Sequence, residues 1–227
     1  MTTKIEWTDE TWNPVTGCTK VSQGCKHCYA ERLWPRIVGA QTKQQGDGFK
    51  GLRGMARPFT DVRTHPERLD APLHWKKPRR VFVNSMSDLF HEDVPDEFIL
   101  KIFDVMRQCE NGFSGPLGRV VSQHTFQILT KRAARMRDFC TRLRFAQNDS
   151  RGLYLAESLP HNGFNPMAAL RHVWLGVSVE DQSTADERIP LLLQTPAAVR
   201  FLSCEPLLGP INFRWARWEP LKRDRPT

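Results

Sequence analysis

Residues 80–88 read Arg80-Val81-Phe82-Val83-Asn84-Ser85-Met86-Ser87-Asp88, an apolar run that ends in a polar turn. A short apolar run of this kind is typical of a strand that is buried on both faces of a parallel sheet. Pro95 then predicts the start of a helix, with Asp96 and Glu97 in the first turn, where the helix dipole favours acidic side chains. The stretch therefore predicts one strand–turn–helix unit.

The same pattern recurs along the chain. Further strands are predicted at Thr125–Thr130, Val173–Val179 and Val199–Ser203, and a first strand is predicted around Thr11–Val15. Repeated strand–helix units indicate an α/β protein with a parallel sheet, either as a partial (β/α) barrel or as an open sheet.

Active sites in both arrangements lie at the carboxyl ends of the strands. We therefore expect the polar segments that follow the strands to meet at one edge of the sheet. These segments are residues 17–30, Ser85–Asp88, Thr130-Lys131, Ser178–Glu180 and Glu205.

Two segments interrupt the alternation of strands and helices. Residues 39–54 and 146–170 are rich in glycine, proline and polar side chains, which predicts loop insertions. We expect one α/β domain over residues 1–210 and a basic tail over residues 211–227.

The chain has 227 residues, of which 40% are hydrophobic and 26% are charged, as is typical of a soluble globular domain. It has no apolar run of about eighteen residues and no apolar signal segment at its N-terminus. We therefore expect a cytoplasmic protein without a membrane span. The sequence does not predict an oligomeric state.

The net charge of +8 favours a polyanionic partner, and nucleic acid is the first candidate. Basic residues gather at Lys76–Arg80, at Lys131–Arg137 and at Arg214–Arg225. The alternative is a solvated basic surface that binds no particular partner.

Three cysteines lie in the run Gly17-Cys18-Thr19-Lys20-Val21-Ser22-Gln23-Gly24-Cys25-Lys26-His27-Cys28-Tyr29-Ala30, with the spacing C-x6-C-x2-C. Thiolates select soft or borderline metals, so iron–sulfur clusters, zinc and copper(I) are all open. Three ligands leave one coordination position for a substrate or a cofactor. His27 is a candidate fourth ligand, although lining the loop is the simpler role for it. Cys109 and Cys140 are expected to be small buried side chains.

This run resembles the signature of a phage and prophage protein family that is named for its three-Cys motif and is regarded as related to radical SAM enzymes. Three further runs also resemble that family. They are Asn84-Ser85-Met86-Ser87-Asp88-Leu89-Phe90, Trp174-Leu175-Gly176-Val177-Ser178-Val179-Glu180-Asp181-Gln182 and Phe201-Leu202-Ser203-Cys204-Glu205-Pro206-Leu207-Leu208-Gly209-Pro210. The resemblance covers most of the chain from Trp7 to about Pro210.

The resemblance implies a radical-SAM-like partial barrel in which Cys18, Cys25 and Cys28 hold a [4Fe-4S] cluster. The iron without a protein ligand would bind S-adenosylmethionine, and an electron donor would start its reductive cleavage. The implied function is an enzyme that modifies or repairs a macromolecule, with nucleic acid as one option.

Two features depart from that family. The first cysteine gap is six residues, whereas the commonest radical SAM loop has three there. Family members also usually continue past Pro210 into another strand and a closing helix, which predicts a C-terminally truncated barrel here.

The resemblance also assigns cofactor contacts, but no catalytic residue. Ser178 and Glu180 would contact the ribose hydroxyls, and Tyr29 would pack on the adenine, with core packing as its alternative role. Glu205 would bind cofactor or substrate, or pair with a nearby arginine. The turn after the second strand would hold the methionine part through Asn84, Ser85, Ser87 and Asp88. Each of these polar residues has an alternative role as a helix cap or turn former.

Two other functions stay open. In the first, Cys18, Cys25, Cys28 and His27 hold zinc in a nucleic-acid-binding module, although a single C-x2-C pair weakens this reading. In the second, the barrel has lost catalysis and binds a partner as a scaffold. His91, beside two acidic residues, is expected at the surface.

Overall fold

The computed structural model describes residues 5–44, 57–110, 123–146, 149–156 and 166–216. Its strands are β1 (Glu10–Trp12), β2 (Val15–Thr16), β3 (Arg63–Thr64), β4 (Arg80–Val83), β5 (Thr125–Thr130), β6 (Leu143–Ala146), β7 (Asp149–Leu155), β8 (Val173–Ser178) and β9 (Val199–Ser203). Its helices are α1 (Tyr29–Gln44), α2 (Asp96–Gln108), α3 (Ala133–Arg142) and α4 (Gln182–Gln194), with short 3₁₀ turns between them.

A parallel sheet of five strands forms the centre of the molecule, in the order β1-β4-β5-β8-β9. All neighbouring strands pair in parallel, and the β5–β8 and β8–β9 pairs have the longest registers. The α/β class and the parallel sheet predicted from the sequence are thus confirmed. The strand order follows the chain order without the reversal that a doubly wound sheet would contain. Within the described ranges the sheet is open, with β1 and β9 at its two ends.

The helices cover the sheet with the apolar stripes that the sequence predicts. In α2 the buried side chains recur at helical spacing, and Phe103 packs against Phe139 of α3 with the ring centroids 5.4 Å apart. Trp12 of β1 reaches Phe126 of β5 at 5.8 Å, which joins the first strand to the same core. Cys109 and Cys140 are buried in this core, as expected.

The first predicted strand, Thr11–Val15, is divided in the structure. Glu10–Trp12 pairs with β4 in the main sheet, whereas Val15–Thr16 pairs antiparallel with β3. Pro14 separates the two pieces, since it has no N–H group for a continuous ladder.

Both predicted loop insertions contain regular structure. Residues 39–44 extend α1, because alanine, glutamine and lysine are good helix formers and a single glycine does not end a helix. Asp149–Leu155 forms β7, which pairs with β6 and packs Leu153 and Leu155 against the core. Residues 45–54 lie outside the described residues, as do 147–148 and 157–165.

The beginning of the predicted basic tail belongs to the packed domain. Ile211 and Phe213 pack against the core, and Ala216 is 7% exposed. Residues 217–227 lie outside the described residues. No described helix combines the length and the hydropathy that crossing a membrane requires.

Candidate functional site

The cysteine loop (residues 17–28) leaves β2 and is fixed at its start to the β4 turn (Asn84–Asp88). The N–H of Gly17 donates to the carbonyl of Met86 at 3.1 Å, and the N–H of Cys18 donates to the carbonyl of Phe59 at 2.9 Å. Gly17 has φ +91°, and a Cβ there would collide with the backbone of Asp61. This position therefore requires glycine.

The three cysteines of the loop are free thiols with intermediate exposure. Cys25 ends a 3₁₀ turn, and Cys28 directly precedes α1. Cys18 and Cys28 pack against the same small apolar cluster, which consists of Ala30, Trp34, Phe59 and Met86. In the described ranges no three His, Cys, Asp or Glu side chains are already close enough together to hold a metal ion. Three free thiols on one loop are nonetheless a donor set that suits an iron–sulfur cluster or zinc.

Arg132 connects this loop to the carboxyl ends of β4 and β5. Its Nη1 lies 3.6 Å from Sγ of Cys18 and 3.3 Å from Oδ2 of Asp88, and its Nη2 donates to Oγ1 of Thr19 at 2.9 Å. Its Nε donates to both carboxylate oxygens of Glu92 at 3.0 Å. Burial raises the pKa of the Cys18 thiol to about 11, and the negative charge of Asp88 acts in the same direction, whereas Arg132 opposes them.

Glu180 holds the middle of the loop from the carboxyl end of β8. Its fully buried carboxylate accepts from Ser22 Oγ at 2.9 Å, from the Gly24 N–H at 3.3 Å and from Arg188 Nη1 at 3.4 Å. Lys131 Nζ forms an ion pair with the same carboxylate. Burial would raise the pKa of Glu180, but the hydrogen bonds from Lys131 and Ser22 lower it. Glu180 is therefore held as a carboxylate between the loop, the end of β5 and helix α4.

Asp88 is similarly surrounded by protein donors. It accepts from Thr130 Oγ1 at 2.7 Å, from the Lys131 N–H at 3.0 Å and from the Phe90 N–H at 3.0 Å, besides Arg132. These contacts join the β4 turn to the end of β5. Of the three carboxylates assigned to the cofactor, Asp88 and Glu180 are thus engaged within the protein.

The rest of the β4 turn packs under the cysteine loop. Asn84 is 3% exposed with φ +60°, and its Oδ1 accepts from the N–H of Val15, whereas its Nδ2 is buried without a partner. Ser87 Oγ donates to the carbonyl of Val15 at 3.0 Å, and Ser85 Oγ donates to Asn13 Oδ1 at 3.2 Å. A buried unpaired amide in a strained backbone is typical of a ligand-binding position.

Tyr29 and Ser178 also belong to this edge of the sheet. The hydroxyl of Tyr29 donates to the carbonyl of Ser85, and 48% of the residue is exposed, so core packing is not its role. Ser178 is 4% exposed at the end of β8, and its carbonyl accepts from Arg188 Nη1 at 2.8 Å.

Glu205 is exposed, and the described residues include no arginine that pairs with it. It stays apart from the network around the loop. His27 is exposed between Cys25 and Cys28.

The expectation for His91 is wrong. The side chain of His91 is buried, and the residue is only 2% exposed. Two hydrogen bonds hold the imidazole in this position: its Nδ1 accepts from the N–H of Asp93, and its Nε2 pairs with Oγ1 of Thr19 at 2.7 Å. The flanking acidic residues are exposed while the imidazole turns inward, toward the cysteine loop.

Arg132 and Gly24 are members of the site that were not predicted from the sequence. Arg132 directly follows the strand end Thr130-Lys131, so its position alone could have indicated it. Nothing in the sequence signals that Gly24 faces Glu180, because the two residues are 156 positions apart.

Residues 2–218 match the sequence model of a family described as "Protein of unknown function (DUF5131)". A search of the curated proteins and a search of the solved structures each found no match.

Proposed function

The chain belongs to the DUF5131 family of proteins of unknown function. We propose, from its cysteine loop and parallel sheet, that it is a radical SAM iron–sulfur enzyme of phage or prophage origin. In this proposal it cleaves S-adenosylmethionine reductively to modify or repair a macromolecule. One observation carries the proposal. Three free thiols lie on a single loop that is fixed to the carboxyl ends of β4, β5 and β8, in a parallel sheet whose strands follow the chain order.

Cys18, Cys25 and Cys28 would hold a [4Fe-4S] cluster, which when bound supplies the electron that splits the sulfonium of S-adenosylmethionine. The chain's own residues bind and orient around that centre. Arg132 holds the start of the cysteine loop and Glu180 holds its middle, and the apolar cluster beneath Cys18 and Cys28 excludes water from one side.

The β4 turn supplies the contacts for the methionine part of the cofactor. Asn84 is the strongest candidate among these residues. Its buried Nδ2 group has no hydrogen-bond partner, so it can donate to a carboxylate or hydroxyl of the cofactor. Ser85 and Ser87 lie beside it. Asp88 is held by four protein donors, which favours a role in positioning the turn.

The later strand ends supply the remaining contacts in the proposal. Ser178 and Glu180 would face the ribose and Tyr29 the adenine, with Glu205 at the margin. Because Glu180 already bonds Ser22, Gly24 and Lys131, its larger contribution is to hold the loop. Tyr29 combines a fixed hydroxyl with a half-exposed ring, which suits a stacking surface.

The test is anaerobic reconstitution of the full chain with iron and sulfide. We expect a brown protein with iron and sulfide in cluster stoichiometry, which under reductant converts S-adenosylmethionine to 5′-deoxyadenosine and methionine. Colourless protein with stoichiometric zinc would overturn the proposal in favour of the zinc module. A cluster without cleavage would overturn the enzyme and favour the scaffold.

Two cysteine variants form a matched pair for this test. Cys25→Ala removes a loop thiol and should abolish the colour. Cys140→Ala removes a buried core thiol of α3 and should leave the colour unchanged. Loss of the cluster in Cys140→Ala would contradict the choice of ligands.

A further inference from the structure

Basic residues that cluster in the sequence do not all carry unpaired charge in the folded protein. Of the first basic cluster, Arg79 pairs with Glu10 at 2.6 Å and Arg80 pairs with Asp9 at 3.0 Å. Only Lys76 and Lys77 of that cluster are exposed without an ion pair in the part of the chain that is described. The cluster therefore has a much smaller free charge than its sequence suggests.

The cations of the second basic cluster are all paired, although Glu180 and Asp96 are each shared with a further arginine, Arg188 and Arg142. Each of its cations is within ion-pair distance of a carboxylate. The pairs are Lys131 with Glu180, Arg132 with Asp88 and Glu92, Arg135 with Asp96, and Arg137 with Asp138. This cluster braces the fold and the cysteine loop, and it offers little attraction to a polyanion.

Helix α1 carries the charges that remain free near the candidate site. Arg32 and Arg36 are exposed, and neither has an ion pair among the described residues. Tyr29 and Leu33 are 48% and 39% exposed. Because positions i, i+3, i+4 and i+7 share one face of a helix, these four residues form a single exposed stripe, the α1 stripe (Tyr29, Arg32, Leu33 and Arg36).

The surroundings of the stripe are also basic. Lys26, directly after Cys25, is exposed. The only acidic residue between Gly17 and Ile37 is Glu31, and its carboxylate pairs with Lys20 at 3.0 Å. An anionic ligand on the stripe would therefore meet no unpaired carboxylate from this segment.

We propose that the α1 stripe binds single-stranded nucleic acid. Arginine guanidinium groups suit phosphate because they can donate two parallel hydrogen bonds to it. The exposed ring of Tyr29, one turn before Arg32, and Leu33, between the two arginines, can contact unpaired bases, which a duplex keeps stacked inside. Cationic groups combined with an aromatic ring are what non-sequence-specific single-strand binding uses.

The stripe begins at the edge of the candidate site. Tyr29 follows Cys28, and its hydroxyl is fixed to Ser85 of the β4 turn. A single-stranded nucleic acid lying along α1 would thus pass beside the cysteine loop. There it would be the substrate of the iron–sulfur centre. This last step rests on the proposed function, whereas binding to the stripe does not.

The experiment measures binding of fluorescein-labelled oligonucleotides of about 20 nucleotides to the metal-free full chain by fluorescence anisotropy. Single-stranded DNA, single-stranded RNA and duplex DNA are compared, so that the two sources of a single strand are distinguished. The test variant is Arg32→Glu with Arg36→Glu. The matched control is Lys76→Glu with Lys77→Glu, which changes the net charge equally at the opposite, amino edge of the sheet.

We expect the stripe variant to bind single strands about tenfold or more weakly, with a salt-dependence slope reduced by about 1.4, since each lost phosphate contact removes about 0.7. The control should lose at most about threefold through general electrostatics. Tyr29→Ser should weaken single-strand binding by about tenfold through lost stacking.

Equal losses in the two double variants would overturn the proposal, as would duplex binding as tight as single-strand binding or no binding by the wild-type chain at physiological salt. Because the measurement needs no cluster, it fails or succeeds separately from cleavage of S-adenosylmethionine.

Discussion

The guanidinium of Arg132 contacts Cys18 and Asp88 at the same time, through a single nitrogen that lies 3.6 Å from the sulfur and 3.3 Å from the carboxylate. The Arg132 side chain is 6% exposed and that of Asp88 is 8% exposed, so the contact is shielded from water. One buried cation therefore connects the first cysteine of the loop with the ends of two strands. In metal proteins such outer contacts orient a ligand and tune the metal it binds.

Arg132→Met should destabilise the fold by about 3 kcal/mol, the lower end for breaking a buried ion pair. Asp88 would lose its charged partner but keep the Thr130 hydroxyl and two backbone donors, which limits the loss. Urea unfolding of the metal-free protein measures the change. Arg137→Met is the control, since its ion pair with Asp138 is exposed and should contribute less than about 1 kcal/mol. Equal losses in both variants would contradict this role of Arg132.

On reconstituted protein, the same contact should raise the reduction potential of the bound centre. A hydrogen bond and a positive charge beside a ligand sulfur favour the more negative, reduced form of an iron–sulfur cluster. Arg132→Met should therefore shift the midpoint to more negative values in a redox titration followed by electron paramagnetic resonance. Arg132→Lys, which keeps the charge, should shift it less. A midpoint unchanged in Arg132→Met would contradict the prediction.

Gly24→Ala should displace the middle of the cysteine loop. A Cβ at Gly24 would lie 2.5 Å from Cδ of Glu180, and that carboxylate is fully buried and held by Ser22, Lys131 and Arg188. Because neither partner can move freely, we expect a loss of about 1–3 kcal/mol in urea unfolding, together with weaker metal uptake. Gly209→Ala is the control, since a Cβ there meets nothing within 4 Å. Identical behaviour of the two variants would show that Glu180 does not restrain the loop.

The main strands and helices of this fold can be predicted from local sequence patterns. The bounds of β5 and β9 agree with the prediction, and the α2 stripe is buried as its periodicity indicates. These features depend on residues that are close in the chain. The convergence of strand ends also follows, because it is a property of parallel sheets.

The contacts that build the site depend on residues far apart in the chain, which local patterns do not report. Arg132 and Cys18 are 114 positions apart, and the sequence gives no sign of which thiol an arginine will meet. His91 shows the same limit. Its exposed neighbours Glu92 and Asp93 predicted a surface position, whereas the partner that buries it, Thr19, is 72 positions away.

The loop thiols should differ in their reaction with iodoacetamide. Burial would raise the pKa of Cys25, but hydrogen bonds from Val21 and Ser22 and the charge of Lys131 together lower it, whereas burial raises the pKa of Cys18 to about 11. The thiolate is the nucleophile, so at pH 8 Cys25 should be alkylated before Cys18 in the metal-free protein. The rate at Cys18 should still increase above pH 9. Peptide mass spectrometry measures both, and faster labelling of Cys18 at pH 8 would contradict the prediction.

Three buried histidines should make the stability of the fold depend on pH just below neutrality. Burial lowers the pKa values of His91, His124 and His172 below the unfolded value of 6.5. The unfolded chain then binds more protons than the folded chain. The stability that these histidines contribute is therefore complete above pH 6.5 and is lost as the pH falls through their folded-state pKa values. The loss is up to about 1.4 kcal/mol per histidine and pH unit. The Nε2 atoms of His124 and His172 already donate to the carbonyls of Pro72 and Met106, so a second proton would go to Nδ1. Each Nδ1 is buried without a hydrogen bond, although Glu110 lies 3.9 Å from that of His172 and partly opposes the lowering of its pKa. Urea unfolding between pH 5.0 and pH 7.5 separates this effect from that of the carboxylates with lowered pKa values, such as Asp96 and Glu92, which lose their contribution only at lower pH. Half-buried His65, whose pKa burial also lowers, contributes in the same direction. His172→Gln should flatten the profile, and a slope in this variant equal to that of the wild-type chain would show that the buried imidazole of His172 does not contribute to it.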